Sequence, residues 1–192
     1  MGIAHITLMS CLANESRYIL RLNKLNSYVL VLSVLTGLLP TIAFADTASL
    51  LDAAQNNDVT SAITLVNEGA DVNMAYPDGA TALHWAAHWG ATDLADRLLS
   101  EGATVDAANE LGITPIAIAC RNGSEVMVET LLRADANAFA VEPSGETVLM
   151  SCSRTGLLGA VEKLLAAGAE PNSLETNSGQ SALMWAAAEG HT

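Results

Sequence analysis

A ten-residue pattern returns along this chain at a nearly constant interval. Thr81 opens TALHWAAHWG; 33 residues on, Thr114 opens TPIAIACRNG; after another 33, Thr147 opens TVLMSCSRTG; after 34 more, Ser181 opens SALMWAAAEG. Thirty-three residues before Thr81, Ala48 opens ASLLDAAQNN. All five copies carry an apolar third residue, small sixth and seventh residues, and Gly or Asn at the tenth place. A sustained period of this length describes supersecondary units stacked on one another, because one unit alone cannot bury its apolar face.

The segment from Pro77 to Asn109 shows what one unit folds into. Asp78-Gly79 is a turn signal, since glycine accepts positive φ. Thr81 is placed to cap a helix. Leu83, Ala86 and Ala87 follow at helical spacing and make its buried face. Gly90 ends that helix and Thr92 opens a second, whose stripe is Leu94, Leu98 and Leu99 and whose end is Gly102. The unit is therefore turn, helix, helix. Small residues on the first helices and leucines on the second bend the stack, giving it a concave and a convex side.

This pattern closely resembles the ankyrin repeat. Gly79-Ala-Thr-Ala-Leu-His-Trp-Ala-Ala-His-Trp-Gly90 is similar to the first half of the family's unit, and Leu65-Val-Asn-Glu-Gly-Ala-Asp-Val-Asn73 and Leu164-Leu-Ala-Ala-Gly-Ala-Glu-Pro-Asn172 to its second half. The resemblance covers residues 47–192. It implies an all-α ankyrin-repeat solenoid over 46–192, with repeats at about 46–75, 76–108, 109–141 and 142–175 and an incomplete unit at 176–192. Three departures stand out. Thr-Pro occurs only at Thr114-Pro115. Asp135 stands where Gly69, Gly102 and Gly168 stand, so that junction is expected to be strained. Glu175 to Ser178 takes up the one-residue insertion before the last unit. The abrupt end after one helix of that unit leads us to expect a fragment of a longer protein.

The segment ahead of the repeats reads differently. Arg17, Arg21 and Lys24 precede the uncharged run YVLVLSVLTGLL, residues 28–39; Pro40 ends the run and Ala43-Phe44-Ala45 follows. This is the pattern of a secretory signal peptide over residues 1–45, with Ala43 and Ala45 as the small cleavage-site residues and Asp46 as the new amino terminus. A run of about twelve residues is short for a membrane span, which needs roughly 20. We therefore expect a periplasmic or secreted protein with no stable membrane insertion, an uncleaved signal anchor being the alternative. The resemblance and the leader together describe an exported, bacterial ankyrin-repeat protein.

Removing residues 1–45 leaves five Lys and Arg against twenty Asp and Glu, a net charge of −15. Nucleic-acid binding needs clustered Lys and Arg, so that class is set aside. The charge favours a soluble monomer and a basic partner. Cys120 and Cys152 fall on the small buried places, one residue out of register with each other. Neighbouring helices pack about 8–10 Å apart, and a bridge needs Cα atoms within about 7 Å. The two are therefore expected to be unbridged small hydrophobes.

His84 and His88 lie one helical turn apart, a spacing that zinc proteases use. The general-base Glu of His-Glu-x-x-His is absent, because Trp85 and Ala86 follow His84. His84 recurs as Ala117, Met150 and Met184, so it is not a repeated chemical group. No nucleophile elbow, phosphate loop or CxxC appears. No metal, cofactor or catalytic residue is assigned.

The resemblance implies instead a protein-binding module or adaptor, without catalysis, whose partners lie on the finger tips and on exposed places before the helix-ending glycine. In the second unit these are Pro77, Asp78, Ala80, His88 and Trp89. In the third they are Glu110, Leu111, Ile113, Arg121 and Asn122. In the fourth they are Pro143, Ser144, Glu146, Arg154 and Thr155. Trp89 beside Arg121 and Arg154 is the expected anchor patch; the plainer alternative is that Trp89 packs over neighbouring helix stems. Two other roles remain open from sequence: a targeting module joined to a catalytic or membrane domain beyond residue 192, and a secreted effector acting on host proteins.

Overall fold

The computed structural model describes residues 49–191; the leader and its cleavage site at Ala43, Ala45 and Asp46 lie outside them. The repeat resolves into helix pairs: α1 (Leu50–Gln55) with α2 (Val59–Asn67), α3 (Ala82–Trp89) with α4 (Thr92–Ser100), α5 (Pro115–Arg121) with α6 (Glu125–Arg133), and α7 (Val148–Arg154) with α8 (Leu158–Ala166), followed by α9 (Ala182–Ala188). There is no strand among the described residues. Two isolated antiparallel bridges, Ala75 with Thr81 and Val141 with Thr147, pinch the bases of two fingers.

The ends of the helices follow from local chemistry. Ser49 caps α1 and Asp58 caps α2 through side-chain oxygens that accept backbone N–H bonds. Thr147 and Ser181 do the same for α7 and α9. Pro115 takes the first turn of α5, where its missing N–H is not needed. Gly90 closes α3 in the left-handed region at φ 69°.

First helices stack on first helices and second on second, with denser contact in the first row. The reason is side-chain size. Ala86, Ala87, Ala119, Cys120 and Cys152 are all fully buried where the first helices meet, whereas Leu94, Leu98, Met127, Leu131 and Leu164 fill the space behind them. Closer approach on one side curves the stack. The fingers and the free faces of α1, α3, α5, α7 and α9 line the concave side.

Asp135 has φ 63°, the left-handed conformation that its glycine counterparts Gly69, Gly102 and Gly168 adopt at 88°, 87° and 96°. That confirms the expected strain. Asp135→Gly is predicted to raise stability by about 0.5–1 kcal/mol, since relief of the left-handed penalty outweighs the added chain entropy. The urea midpoint of the variant measures it.

The cysteines correct the sequence reading. Cys120 and Cys152 are joined by a disulfide, with Cα atoms 4.5 Å apart. The usual spacing of helix axes misled the expectation, because α5 and α7 touch through small residues and come closer than helices separated by leucines. The one-residue offset in register is what aligns the two: the seventh residue of α5's repeat meets the sixth of α7's.

Candidate protein-binding surface

His84 is a structural residue. Its Nδ1 accepts the Thr81 N–H at 3.1 Å and lies 2.9 Å from the Thr81 hydroxyl, and its Nε2 donates to the Ile113 carbonyl of the next finger at 3.1 Å. Both ring nitrogens are used within the protein, which leaves neither for a metal. Burial holds its pKa below the ordinary histidine range, against the opposing pull of the Ile113 carbonyl and Asp78. His88 stands one turn on, exposed, with its ring edge-on to Trp85 at 5.8 Å and to Trp89 at 4.7 Å between centroids.

The residues before each helix-ending position share a role that the sequence did not reveal. The last carbonyls of a helix have no partner within it. Here the next repeat supplies one. Trp89 Nε1 donates to the Gln55 carbonyl at 3.1 Å, Asn122 Nδ2 to the His88 carbonyl at 2.8 Å, and Thr155 Oγ1 to the Cys120 carbonyl at 2.9 Å. His191 Nε2 lies 3.1 Å from the Arg154 carbonyl in the same manner. Each unit thus caps the first helix of the unit before it. A side-chain donor recurring near the tenth place was the available signal.

The expected binding residues therefore fall into groups. Pro77, Asp78, His88, Trp89, Glu110, Leu111, Asn122 and Pro143 are exposed, with Leu111 at 69% and Trp89 at 48%. Ile113, Ser144, Glu146, Arg154 and Thr155 are half-buried. Ala80 is buried, contrary to its expected exposure. Its carbonyl accepts the Tyr76 N–H at 2.9 Å within the pinched finger base, and the following finger packs over this turn.

The two arginines also differ. Arg121 reaches the Glu142 carboxylate at 2.5 and 2.6 Å and Glu146 at 3.2 Å. Ser151 donates to Glu146 at 2.6 Å and completes the network. Burial opposes the Arg121 charge, but the Glu142 hydrogen bond and the two carboxylates outweigh it and raise the pKa. Arg121 thus links α5 to the next finger. Arg154 occupies the same place one repeat on, where its counterpart acid is Glu175. That carboxylate is turned into its own finger, where it accepts N–H bonds from Asn177 at 2.6 Å, Ser178 at 2.7 Å and Gln180 at 3.1 Å, together with the Ser178 hydroxyl. The insertion in this finger makes that turn. Arg154 instead lies over the Trp185 ring at 5.1 Å, and it is the one Lys or Arg without an ion pair among the described residues.

The Ser178 hydroxyl, followed by the backbone donors, holds the Glu175 pKa at about 2, below its ordinary 4.5. A depressed carboxylate pKa contributes order that is fully present above about 4.5 and is lost as pH falls toward about 2. The amide resonances of Asn177, Ser178 and Gln180 should therefore titrate together with a midpoint near pH 2. A midpoint at the ordinary glutamate value would contradict this bonding.

Sequence reasoning passed over Trp85 and Trp185, which hold the same fifth place in their repeats. It also passed over Tyr76, whose hydroxyl donates to Asp52 at 2.9 Å, with the Gln55 side-chain oxygen 3.1 Å away. Together Asp52, Gln55, Tyr76, Trp85, His88 and Trp89 form one connected aromatic and acidic surface between the first two repeats. No helix among the described residues is long and apolar enough to cross a membrane.

No curated protein matches the chain. The sequence model of the family described as ankyrin repeats (3 copies) matches residues 50–140 and again 88–175. The two matches join into one span over more than half the chain, and the stacked helix pairs and fingers agree with it. The chain belongs to the ankyrin-repeat family, whose units are protein–protein interaction modules.

Proposed function

We propose that this protein is an exported adaptor that binds a partner protein along its concave face and performs no catalysis of its own. One observation carries the reading: Trp89, held by its inter-repeat bond to the Gln55 carbonyl, stands exposed beside His88, and Leu111 stands exposed on the next finger. Rigid, exposed aromatic side chains lose little entropy on binding and supply most of an interface's energy. The contact residues of this reading are the exposed ones, Pro77, Asp78, His88, Trp89, Glu110, Leu111, Asn122 and Pro143. Arg154 adds a cation with no ion-pair partner, whereas Arg121 is committed to Glu142 and Glu146. Export is supported by the leader and by the Cys120–Cys152 bridge, because disulfides persist in oxidising compartments.

A photo-crosslinking residue placed at His88 on the concave side and, separately, at Ser100 at the end of α4 tests the surface. A discrete adduct from position 88 and none from 100 is expected in cells producing the full chain. The reverse pattern overturns the reading. The mass of the product from a periplasmic fraction tests export: it should begin at Asp46, and a product retaining the leader in the membrane fraction would contradict that step.

A further inference from the structure

Charge is unevenly distributed along the chain. Between Ser49 and Asp96 there are seven Asp and Glu and no Lys or Arg. Four of the five cations of the described residues are consumed internally: Arg97 by Glu101, Arg121 by Glu142 and Glu146, Arg133 by Asp96, and Lys163 by Glu129. Five of the seven acids lie on or beside the second helices, and Asp96 is the one paired with Arg133; Asp52 on α1 and Asp78 on the second finger have no ion-pair partner among the described residues.

The aromatic groups there are oriented by bonds already made. Trp89 spends its N–H on the Gln55 carbonyl, so what it offers a partner is ring surface, not a donor. Tyr76 spends its hydroxyl on Asp52. Asp52 also accepts the Ser49 hydroxyl at 2.7 Å, and these bonds, Ser49 first and Tyr76 second, hold it ionised below the usual carboxylate range. Gln55 joins the two sides, touching Tyr76 with its side chain and Trp89 with its carbonyl. An indole face attracts a cation, and fixed carboxylates beside it add to that attraction.

We propose that Trp89, Tyr76, Asp52 and Asp78 form a docking surface for a basic side chain, a lysine or arginine carried by the segment of the partner protein that lies in the concave face. The inference rests on the concave-face reading and adds the chemistry of the partner. Charge complementarity selects this occupant. An acidic segment would meet carboxylates with no neutralising group, and a purely apolar one would desolvate the charges of Asp52 and Asp78 with no opposite charge to offset them, since their hydrogen bonds from Ser49, Tyr76 and Ala80 are neutral.

The test uses the purified full chain and a neutral-stemmed peptide carrying two lysines, titrated while the Trp89 indole and Asp52 amide resonances are followed. The same peptide with both lysines acetylated is the control. Shifts confined to Trp89, Tyr76, Asp52 and Asp78 are expected. They should be absent with the acetylated peptide and weakened by added salt. Trp89→Ala should bind about two- to fivefold more weakly, and Trp89→Phe, which keeps an aromatic face, should recover most of that loss. Asp52→Asn with Asp78→Asn keeps the test open if Trp89→Ala perturbs the stack. Equal binding of the acetylated peptide, no response at Trp89, or shifts spread evenly over carboxylates on the second helices would overturn the proposal. If a partner cross-links at position 88 while the lysine peptide leaves Trp89 unmoved, the concave-face reading stands and this inference alone falls.

Discussion

Replacing Cys120 and Cys152 together by alanine should lower stability by about 3–4 kcal/mol, the loop-entropy contribution of a bridge closing a loop of this length. The bridge spans 32 residues of sequence and joins α5 to α7, so it ties the third repeat to the fourth. Alanine is the appropriate replacement because the family of small buried places already uses it at Ala86, Ala87 and Ala119. The double variant keeps small apolar side chains at both places and removes the covalent link together with two buried sulfur atoms, so a packing cost adds to the loop term. In a stack of nearest neighbours, that loss falls on one interface. The fourth and fifth repeats should then open before the first three, and urea unfolding should broaden as well as shift. Both cysteines are fully buried, so reductant should act on the native protein only through local opening. An unchanged urea midpoint in the double variant would show that the bridge constrains nothing the packing does not already fix.

Trp89→Ala carries the second large effect, and it acts on binding. Truncating a central aromatic anchor removes about 2 kcal/mol or more, roughly a thirtyfold rise in Kd for the partner. The cost to folding should be small, because the ring is 48% exposed and its one hydrogen bond goes to an exposed carbonyl. Trp89→Phe separates the two contributions: it loses the bond to Gln55 and keeps the ring. Calorimetric titration with the cross-linked partner, beside thermal melts of both variants, makes the comparison. Loss of affinity in step with loss of helicity would mean that Trp89 is only a stem-packing residue.

Much of this architecture was legible in the sequence because a repeat states its pattern several times. The buried faces of α3, α5 and α7 and the turn at Gly79 could be read from spacing alone. Asp135 was legible as strain because three glycines mark the conformation its place requires. What escaped were relations between repeats. Ordinary helix spacing argues against a Cys120–Cys152 bridge, but the small buried residues where α5 and α7 meet shorten that spacing. Arg121 read as a free cation because Glu142 and Glu146 lie a finger away in sequence and meet it only in the stack. Its counterpart Arg154 is freed by a one-residue insertion that turns Glu175 inward, an effect of loop geometry and not of residue type. Ala80 was placed on an exposed tip, but pairing at the finger base tucks it in.

The most direct measurement is the hydrogen-exchange footprint of the full chain with and without its purified partner. If the concave face is the binding surface, added protection should fall on the fingers around Asp78 and Glu110 and on the carboxyl-terminal turns of α3 and α5, ending at Trp89 and Arg121. The exposed sides of α4 and α6 should be unchanged. Protection centred on Thr92–Ser100 and Glu125–Arg133, with the fingers unaffected, would place the partner on the convex side and contradict the account.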